Sequence, residues 1–280
     1  MDLLQGTIGF KRRFKNRLFS VSCVIAAAIA LLFFLLILFF LIKNGMTHLN
    51  LTLFTQDTPA PQQAGGLRNA IIGSIMVSGL GIIIAAPLGI LIATFLANFS
   101  GKGRLAKTVR FVNDVLLSTP SIVIGLFAYS LCVRPFGHFS AFAGAVALAM
   151  IALPMITRSS EDVLYLVPSM LEESAVAMGI ARWRITFKIV YRVVSSGLIT
   201  GSLLAFARIS GETAPLLFTA LNNNFTTLSF LKPVATLPVV IYQFALSPYK
   251  DWQNIAWAGA LLITVAILLL NLFARFLARK

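Results

Sequence analysis

Two ionisable side chains, Arg208 and Glu212, stand inside an otherwise apolar stretch, Leu203-Leu-Ala-Phe-Ala-Arg-Ile-Ser-Gly-Glu-Thr-Ala-Pro-Leu-Leu-Phe-Thr-Ala-Leu221. An ionised side chain at the centre of a bilayer costs about 2.5–3.5 kcal/mol on insertion scales, so intramembrane charges default to function. In one continuous helix a spacing of four places both on one face, where each partly neutralises the other. A guanidinium keeps its charge and offers several N–H donors, which suits an oxyanion. A carboxylate beside it keeps the empty site near neutral, so that an anion is held weakly enough to leave. The competing use of the pair is an ion pair that ties helices together. Ser210 and Thr213 are hydroxyl donors on the same stretch. Arg158, at the inner end of another apolar run, is either an exit-side contact for the same anion or an anchor that fixes orientation. Asn113 and Asp114, near the start of a further run, read as helix caps before anion contacts.

The elements that must hold these residues are membrane helices. The chain has 280 residues, 58% of them hydrophobic and 11% charged, with a mean hydropathy of +0.90. Soluble domains carry about 25% charged residues, so this is an integral membrane protein with no room for a large soluble domain. The net charge is +14. A basic balance can signal nucleic acid, but here the basic residues cluster between apolar runs, which encodes orientation in a membrane. No nucleic-acid partner is expected; membrane lipid is. Cys23 and Cys132 lie in apolar runs and read as small buried hydrophobes. His48 and His138 are lone loop residues, and no His/Cys/carboxylate group has the spacing of a metal site.

The expected fold is all-α, with six transmembrane helices at 20–42, 70–97, 111–133, 138–157, 194–221 and 254–274. Each is long enough to cross roughly 30 Å of hydrocarbon at about 1.5 Å per residue. Pro87 and Pro120 predict kinks in the second and third. Residues 1–19 form a basic cytoplasmic N-terminus and 20–280 a single transmembrane domain. Lys11, Arg12, Arg13, Lys15 and Arg17 precede the first span; Lys102, Arg104, Lys107 and Arg110 fall in the second connection; Arg158, Arg182, Arg184, Lys188 and Arg192 fall in the fourth; Arg275, Arg279 and Lys280 end the chain. The opposite side has only Lys43, Arg68, Arg134, Lys232 and Lys250, so both termini are cytoplasmic. Residues 43–69 are then an exposed outer loop and 222–253 the longest outer connection, the second with Tyr249 and Trp252 as interfacial anchors or partner contacts.

The inner connection 158–193 is the longest. Pro168-Ser-Met-Leu-Glu172 has a capping-box pattern, and Leu171, Ala175 and Met178 repeat at helical spacing. Gly179 suits the helix end, and Ala181-Arg-Trp-Arg-Ile-Thr-Phe-Lys188 leads back to the membrane. Such a helix either rests on anionic lipid or docks a soluble partner; Glu172 and Glu173 weigh against the lipid. No Gly-x4-Gly-Lys-Ser/Thr loop occurs, so the chain is not expected to hydrolyse ATP.

This connection resembles the Glu-Ala-Ala loop of permeases in ATP-binding-cassette (ABC) importers. The family pattern is Glu-Ala-Ala, three residues, Gly, nine residues, Ile-x-Leu-Pro; here it reads Glu173-Ser174-Ala175, Gly179 and Ile189, with Tyr191-Arg192 in place of Leu-Pro. The whole chain from residue 10 is similar to the PstA-type permeases of bacterial phosphate importers. The matching runs are Gly66–Ile71, Arg110–Gly125, Arg208–Ala220 and Trp252–Gly259. The most specific is Gly211-Glu-Thr-Ala-Pro-Leu-Leu-Phe-Thr219.

The resemblance implies a type I importer architecture in the bacterial inner membrane. It implies a heterodimer with a PstC-like permease, a PstB-like ATPase homodimer beneath it that holds ATP and Mg, and a PstS-like phosphate-binding protein outside. No cofactor is then expected on this chain. Arg208, Glu212, Arg158, Thr213 and Ser210 would line the substrate pathway, and Glu172, Glu173, Ala175, Gly179, Arg182 and Trp183 would couple to the ATPase. Two other functions compete. One is a permease of the same architecture for phosphonate, molybdate or sulfate. The other is an ion-coupled secondary anion carrier, which would also use intramembrane Arg and Glu but usually shows repeated spans and needs no docking loop. A scaffold or sensor without transport would leave the buried charges unexplained.

Overall fold

The computed structural model describes residues 2–99 and 103–278, with side chains from residue 12 to residue 277. Lys102, Arg279 and Lys280, and the side chain of Lys11, lie outside the described residues. The described chain is helical, and ten helices carry its architecture: α1 (Asp2–Thr47), α2 (Arg68–Thr94), α3 (Arg104–Ser118), α4 (Ser121–Phe136), α5 (Ala141–Leu164), α6 (Ser169–Ala177), α7 (Arg182–Val193), α8 (Ser195–Ile209), α9 (Leu237–Ala245) and α10 (Lys250–Ala278). α1, α2, α5 and α10 are each long and apolar enough to cross a membrane unbroken.

The core forms where α2 and α5 run side by side. Val77, Ala85, Leu148, Ala152 and Ile156 are fully buried there, and Ala205 and Ile209 of α8 close over them. Small residues set the approach. A Cβ on Gly89 would lie 2.9 Å from the Ile156 side chain and 3.2 Å from the Leu153 carbonyl. Such close packing drives helix association where lipid tails remove the hydrophobic drive between helices. α1 is the opposite case: from residue 12 on, apart from its packing along α10, its apolar side chains are exposed, Cys23 among them, whereas Cys132 is buried.

Two expected spans are broken. The 111–133 run is divided between α3 and α4, which meet at 107°. Thr119 and Pro120 are both extended, at φ −73°, ψ 131° and φ −57°, ψ 135°. Proline lacks an N–H and disfavours helical geometry at the preceding residue, which stops α3 there. The 194–221 run is interrupted further along: α8 ends at Ile209, and after the bend at 210–213 only the short helix Ala214–Leu217 follows; α7 meets α8 at 74° at the start of the run. Pro87, by contrast, sits inside α2 without ending it.

The outer connection 222–253 is not all loop. Its Leu237–Ala245 segment is a helix whose Leu237, Val239, Val240 and Phe244 are buried. Trp252 stacks on Phe244, ring centroids 4.4 Å apart and planes 9° from parallel, and so packs inward rather than standing as an interfacial anchor. Asp57 joins the two outer connections: it accepts from Arg68 Nε at 3.0 Å, from Thr226 N at 2.9 Å and from Thr226 Oγ1 at 2.6 Å.

Candidate functional site

Arg208 lies in the last turn of α8, and Glu212 lies beyond the helix end, in the bend Ser210–Thr213. The expectation of one continuous helix face is therefore corrected. The bend is held by Gly211 N and Glu212 N, which donate to the carbonyls of Arg208 and Ile209 at 3.2 Å. The two side chains still meet, with Arg208 Nε 3.9 Å from Glu212 Oε1. A cation in the last turn of a helix is also favoured by the partial negative charge of the helix end. The pair is asymmetric: the Arg208 side chain is 56% exposed and that of Glu212 16%.

Both residues line a cavity of about 180 Å³ with Thr119, Pro120, Ser121, Ile124, Ile151 and Met155. Liquid water occupies about 30 Å³ per molecule, so the space suits a small oxyanion with a few waters. One wall is the α8 bend; the other is the break between α3 and α4. That break brings the hydroxyls of Thr119 and Ser121 and the first turn of α4 to the cavity. A helix start carries partial positive charge and outward N–H groups. The cavity thus joins a fixed cation and its shielded carboxylate partner on one wall with the Ser121 hydroxyl and a helix start on the other, while Thr119 Oγ1 donates to the Val115 carbonyl at 2.7 Å and meets the cavity as an acceptor. Ile151 and Met155 set its height midway along α5.

The other pathway nominees stand apart. Ser210 Oγ donates to the Phe206 carbonyl at 2.8 Å. Thr213 precedes the short helix Ala214–Leu217 and is not among the cavity's lining residues. Arg158 is half exposed, with Nε 3.8 Å from Asp162 Oδ1 and no part in the cavity. Asn113 is no helix cap: buried in mid-α3, it donates to the Pro154 carbonyl at 3.2 Å.

The inner loop folds as α6 and α7. The capping box does not form: α6 starts at Ser169 after Pro168, with no side-chain cap. Glu172 Oε1 instead accepts from Asn98 Nδ2 at 3.5 Å. Gly179 ends the helix with φ +77°, while Ile180 N donates to Ala175 O at 3.2 Å, a closure that needs a left-handed residue. Leu171, Ala175 and Met178 do not form one buried stripe, since Ala175 is buried and the other two are exposed. Glu172, Glu173 and Arg182 line an open groove of about 450 Å³. Trp183 is exposed, with the Arg184 guanidinium carbon 5.2 Å from its ring centroid. Exposed Met170, Met178, Trp183 and Phe187 give this surface the apolar character of a docking face.

Sequence reasoning missed three contributors. Thr119 and Ser121 lie beside a proline that was read only as a kink. Glu161, 5% exposed, pairs with Arg110, Nε to Oε1 2.8 Å, although Arg110 had been read as an orientation charge. The signal was present in Glu161 itself, a carboxylate where an apolar run meets its inner end.

Residues 85–280 match the family model described as a binding-protein-dependent transport system inner membrane component. The chain is 51% identical over 264 residues, 94% of each chain, to the phosphate transport system permease protein PstA of Haemophilus influenzae. It is 33% identical over 279 residues, 96% of this chain and 90% of the other, to phosphate transport system permease protein PstA 1 of Mycobacterium tuberculosis H37Rv. Among solved structures it resembles a bacterial alginate ABC transporter in complex with alginate pentasaccharide-bound periplasmic protein, at TM-score 0.64, 16% identity and 96% of both chains. An inward-facing MetNI methionine ABC transporter matches at TM-score 0.60 and 18% identity, over 75% of this chain and 92% of that one. These two likenesses support the fold. With a matching family model over most of its length and relatives this similar, the chain belongs to the PstA family of phosphate transport system permeases, a branch of the binding-protein-dependent inner-membrane transport components.

Proposed function

We propose that this chain is the transmembrane permease subunit of an ATP-driven importer that moves inorganic phosphate into the cytoplasm. Its partners are a second, PstC-like permease, a PstB-like ATPase dimer and a PstS-like binding protein. The observation that carries the reading is the mid-height cavity shared by Arg208, Glu212, Thr119 and Ser121. Phosphate is anionic at neutral pH and crosses a low-dielectric layer only where charge and hydrogen-bond donors replace its water. Arg208 supplies a permanent charge at the cavity's open side. Glu212 limits the net positive charge of the empty site, which keeps binding weak enough for release.

The chain receives its driving energy through α6 and α7. Closure of the ATPase dimer on ATP moves this docking face and rocks the helix bundle between inward and outward opening, a rigid-body change between two states. Glu172, Glu173, Ala175, Gly179, Arg182 and Trp183 are the coupling residues in this scheme. ATP and Mg stay on the partner.

The test is uptake in vesicles containing the four-component complex, wild type against Arg208→Gln. ATP-dependent phosphate entry, lost in the variant while the complex assembles, supports the reading. Entry unaffected by the substitution makes the pair a structural tie. A wild-type complex that imports sulfate or molybdate but no phosphate moves the substrate to another oxyanion.

A further inference from the structure

The reading above leaves open how movement at the docking face reaches a cavity halfway across the bundle. One side-chain cluster lies between them. Arg110 of α3 donates from Nε to Glu161 Oε1 at 2.8 Å, and from Nη2 to Tyr165 OH at 2.9 Å and to the Leu96 carbonyl at 3.2 Å. Tyr165 OH also donates to Glu161 Oε1 at 3.3 Å. One guanidinium therefore joins the end of α2, the start of α3 and the inner end of α5.

The two ends of this cluster lead to the two working parts of the molecule. Tyr165 caps the end of α5, and four residues later α6 begins. On the other side α3 is continuous from Arg104 to Ser118. Its far end delivers Thr119, Pro120 and Ser121 into the cavity wall opposite Arg208 and Glu212. From Arg110 to Thr119 is about 14 Å of helix at 1.5 Å per residue. A second tie, Asn113 Nδ2 to the Pro154 carbonyl at 3.2 Å, keeps α3 alongside α5. α3 is thus a lever, held at its inner half and ending at the cavity.

The burial of the pair argues for a positional role. The Glu161 side chain is 5% exposed and that of Arg110 28%. Buried ion pairs often add little net stability over apolar packing, because desolvation offsets their attraction. What they do supply is direction: a planar guanidinium on α3 with two bonds to the inner end of α5 and one to the end of α2 restricts how those three elements can be arranged.

We propose that Arg110 is a positioning residue that couples the docking loop to the cavity wall: motion of α6 acts through Tyr165 and Glu161 on Arg110, and α3 carries it to Thr119 and Ser121. The proposal rests on the permease reading above.

The experiment uses the assembled four-component complex with Cys23 and Cys132 replaced by Ser and one new cysteine, Ser121→Cys. Its labelling by a charged thiol reagent is followed with and without ATP, and phosphate uptake per ATP hydrolysed is measured in the same background with Ser121 intact. In this parent, ATP changes the labelling rate at least fivefold. In Arg110→Lys, which keeps the charge but loses the fork, the ATP effect falls below twofold, and phosphate carried per ATP drops about tenfold while ATP hydrolysis continues. Tyr165→Phe removes one hydroxyl from a half-exposed site and decides the matter if Arg110→Lys fails to assemble: the ATP effect is at least halved. An undiminished ATP effect in Tyr165→Phe, or in an assembled Arg110→Lys, overturns the proposal. If the Ser121→Cys labelling responds to ATP but the complex with Ser121 intact imports no phosphate, the substrate reading is overturned instead and the lever stays supported.

Discussion

Gly125 of α4 faces Pro215 so closely that a Cβ on the glycine would lie 2.6 Å from Pro215 Cα and 3.1 Å from its Cβ. The two residues lie just beyond the two walls of the cavity, Gly125 one turn after Ser121 and Pro215 three residues after Glu212. Their contact fixes the width of the space between Thr119–Ser121 and Arg208–Glu212. The obstructing atom is backbone, so a larger residue cannot be accommodated by a rotamer change. Gly125→Val should cost about 1–3 kcal/mol of stability, the usual range for overpacking, and should cut uptake at least tenfold. Uptake assays beside thermal unfolding of the purified complex check both parts; wild-type uptake would show that the wall spacing does not matter.

The substitutions along 208–213 and at 158 should separate by position rather than by residue type. Arg208→Gln removes the cavity's cation and should abolish uptake, whereas Arg208→Lys keeps charge without the planar fork and should retain a small fraction. Glu212→Gln leaves that cation unbalanced, which should slow release: the maximal rate should fall while the apparent affinity rises. Ser210→Ala only frees the Phe206 carbonyl of its own helix, and Arg158→Gln removes a half-exposed arginine outside the cavity. Both should stay within twofold of wild type. Initial rates of labelled phosphate entry across a concentration series distinguish these outcomes.

The contrast between Arg208 and Arg158 shows what the sequence could and could not tell. Charge type and depth were legible, because an arginine within an apolar run is costly wherever the run folds. The path of the backbone was not. Hydropathy averages over a bend, so 111–133 and 194–221 looked like single spans although each is bent or interrupted. Pro120 announces one break; the other, after Ile209, is held by backbone bonds from Gly211 N and Glu212 N that hydropathy does not register. Leu237–Ala245 is too short to span and does not stand out within the outer connection, yet Pro238 in its first turn marks a helix start. Arg110 looked like one more inner positive charge, and only the fold brings Glu161 and Tyr165 to it.

Gly179 offers a test that separates backbone strain from bulk. Its φ of +77° is left-handed, and nothing lies within 4 Å of where a Cβ would be. Ala should therefore strain the α6 end without any clash, at about 1 kcal/mol or somewhat more. Asn tolerates this conformation better than Ala although it is larger. Gly179→Asn should thus couple ATP hydrolysis to uptake better than Gly179→Ala, and a bulky Gly179→Leu should uncouple the two with insertion intact. The reverse order, Ala above Asn, would mean that the docking face rejects bulk rather than strain. Phosphate imported per ATP hydrolysed is the quantity to measure.

Asp57 should make the outer face sensitive to acid. Burial alone would raise its pKa, but the hydrogen bonds from Arg68 and Thr226 outweigh it and hold the carboxyl below its ordinary value of 3.8. A depressed carboxylate stabilises the folded form above its unfolded pKa, and that contribution disappears as pH falls through the lower, folded value. The tie between 57–68 and 226 should therefore be intact at pH 7, begin to weaken near pH 4 and be lost below that. Hydrogen exchange of residues 222–236 should stay slow, after correction for intrinsic rates, from pH 7 to about 5 and rise in more acid solution. Asp57→Asn, which keeps the shape but loses the charge, should exchange faster already at pH 7 and lose this acid step. An acid step of full size in Asp57→Asn would assign the pH response to another group.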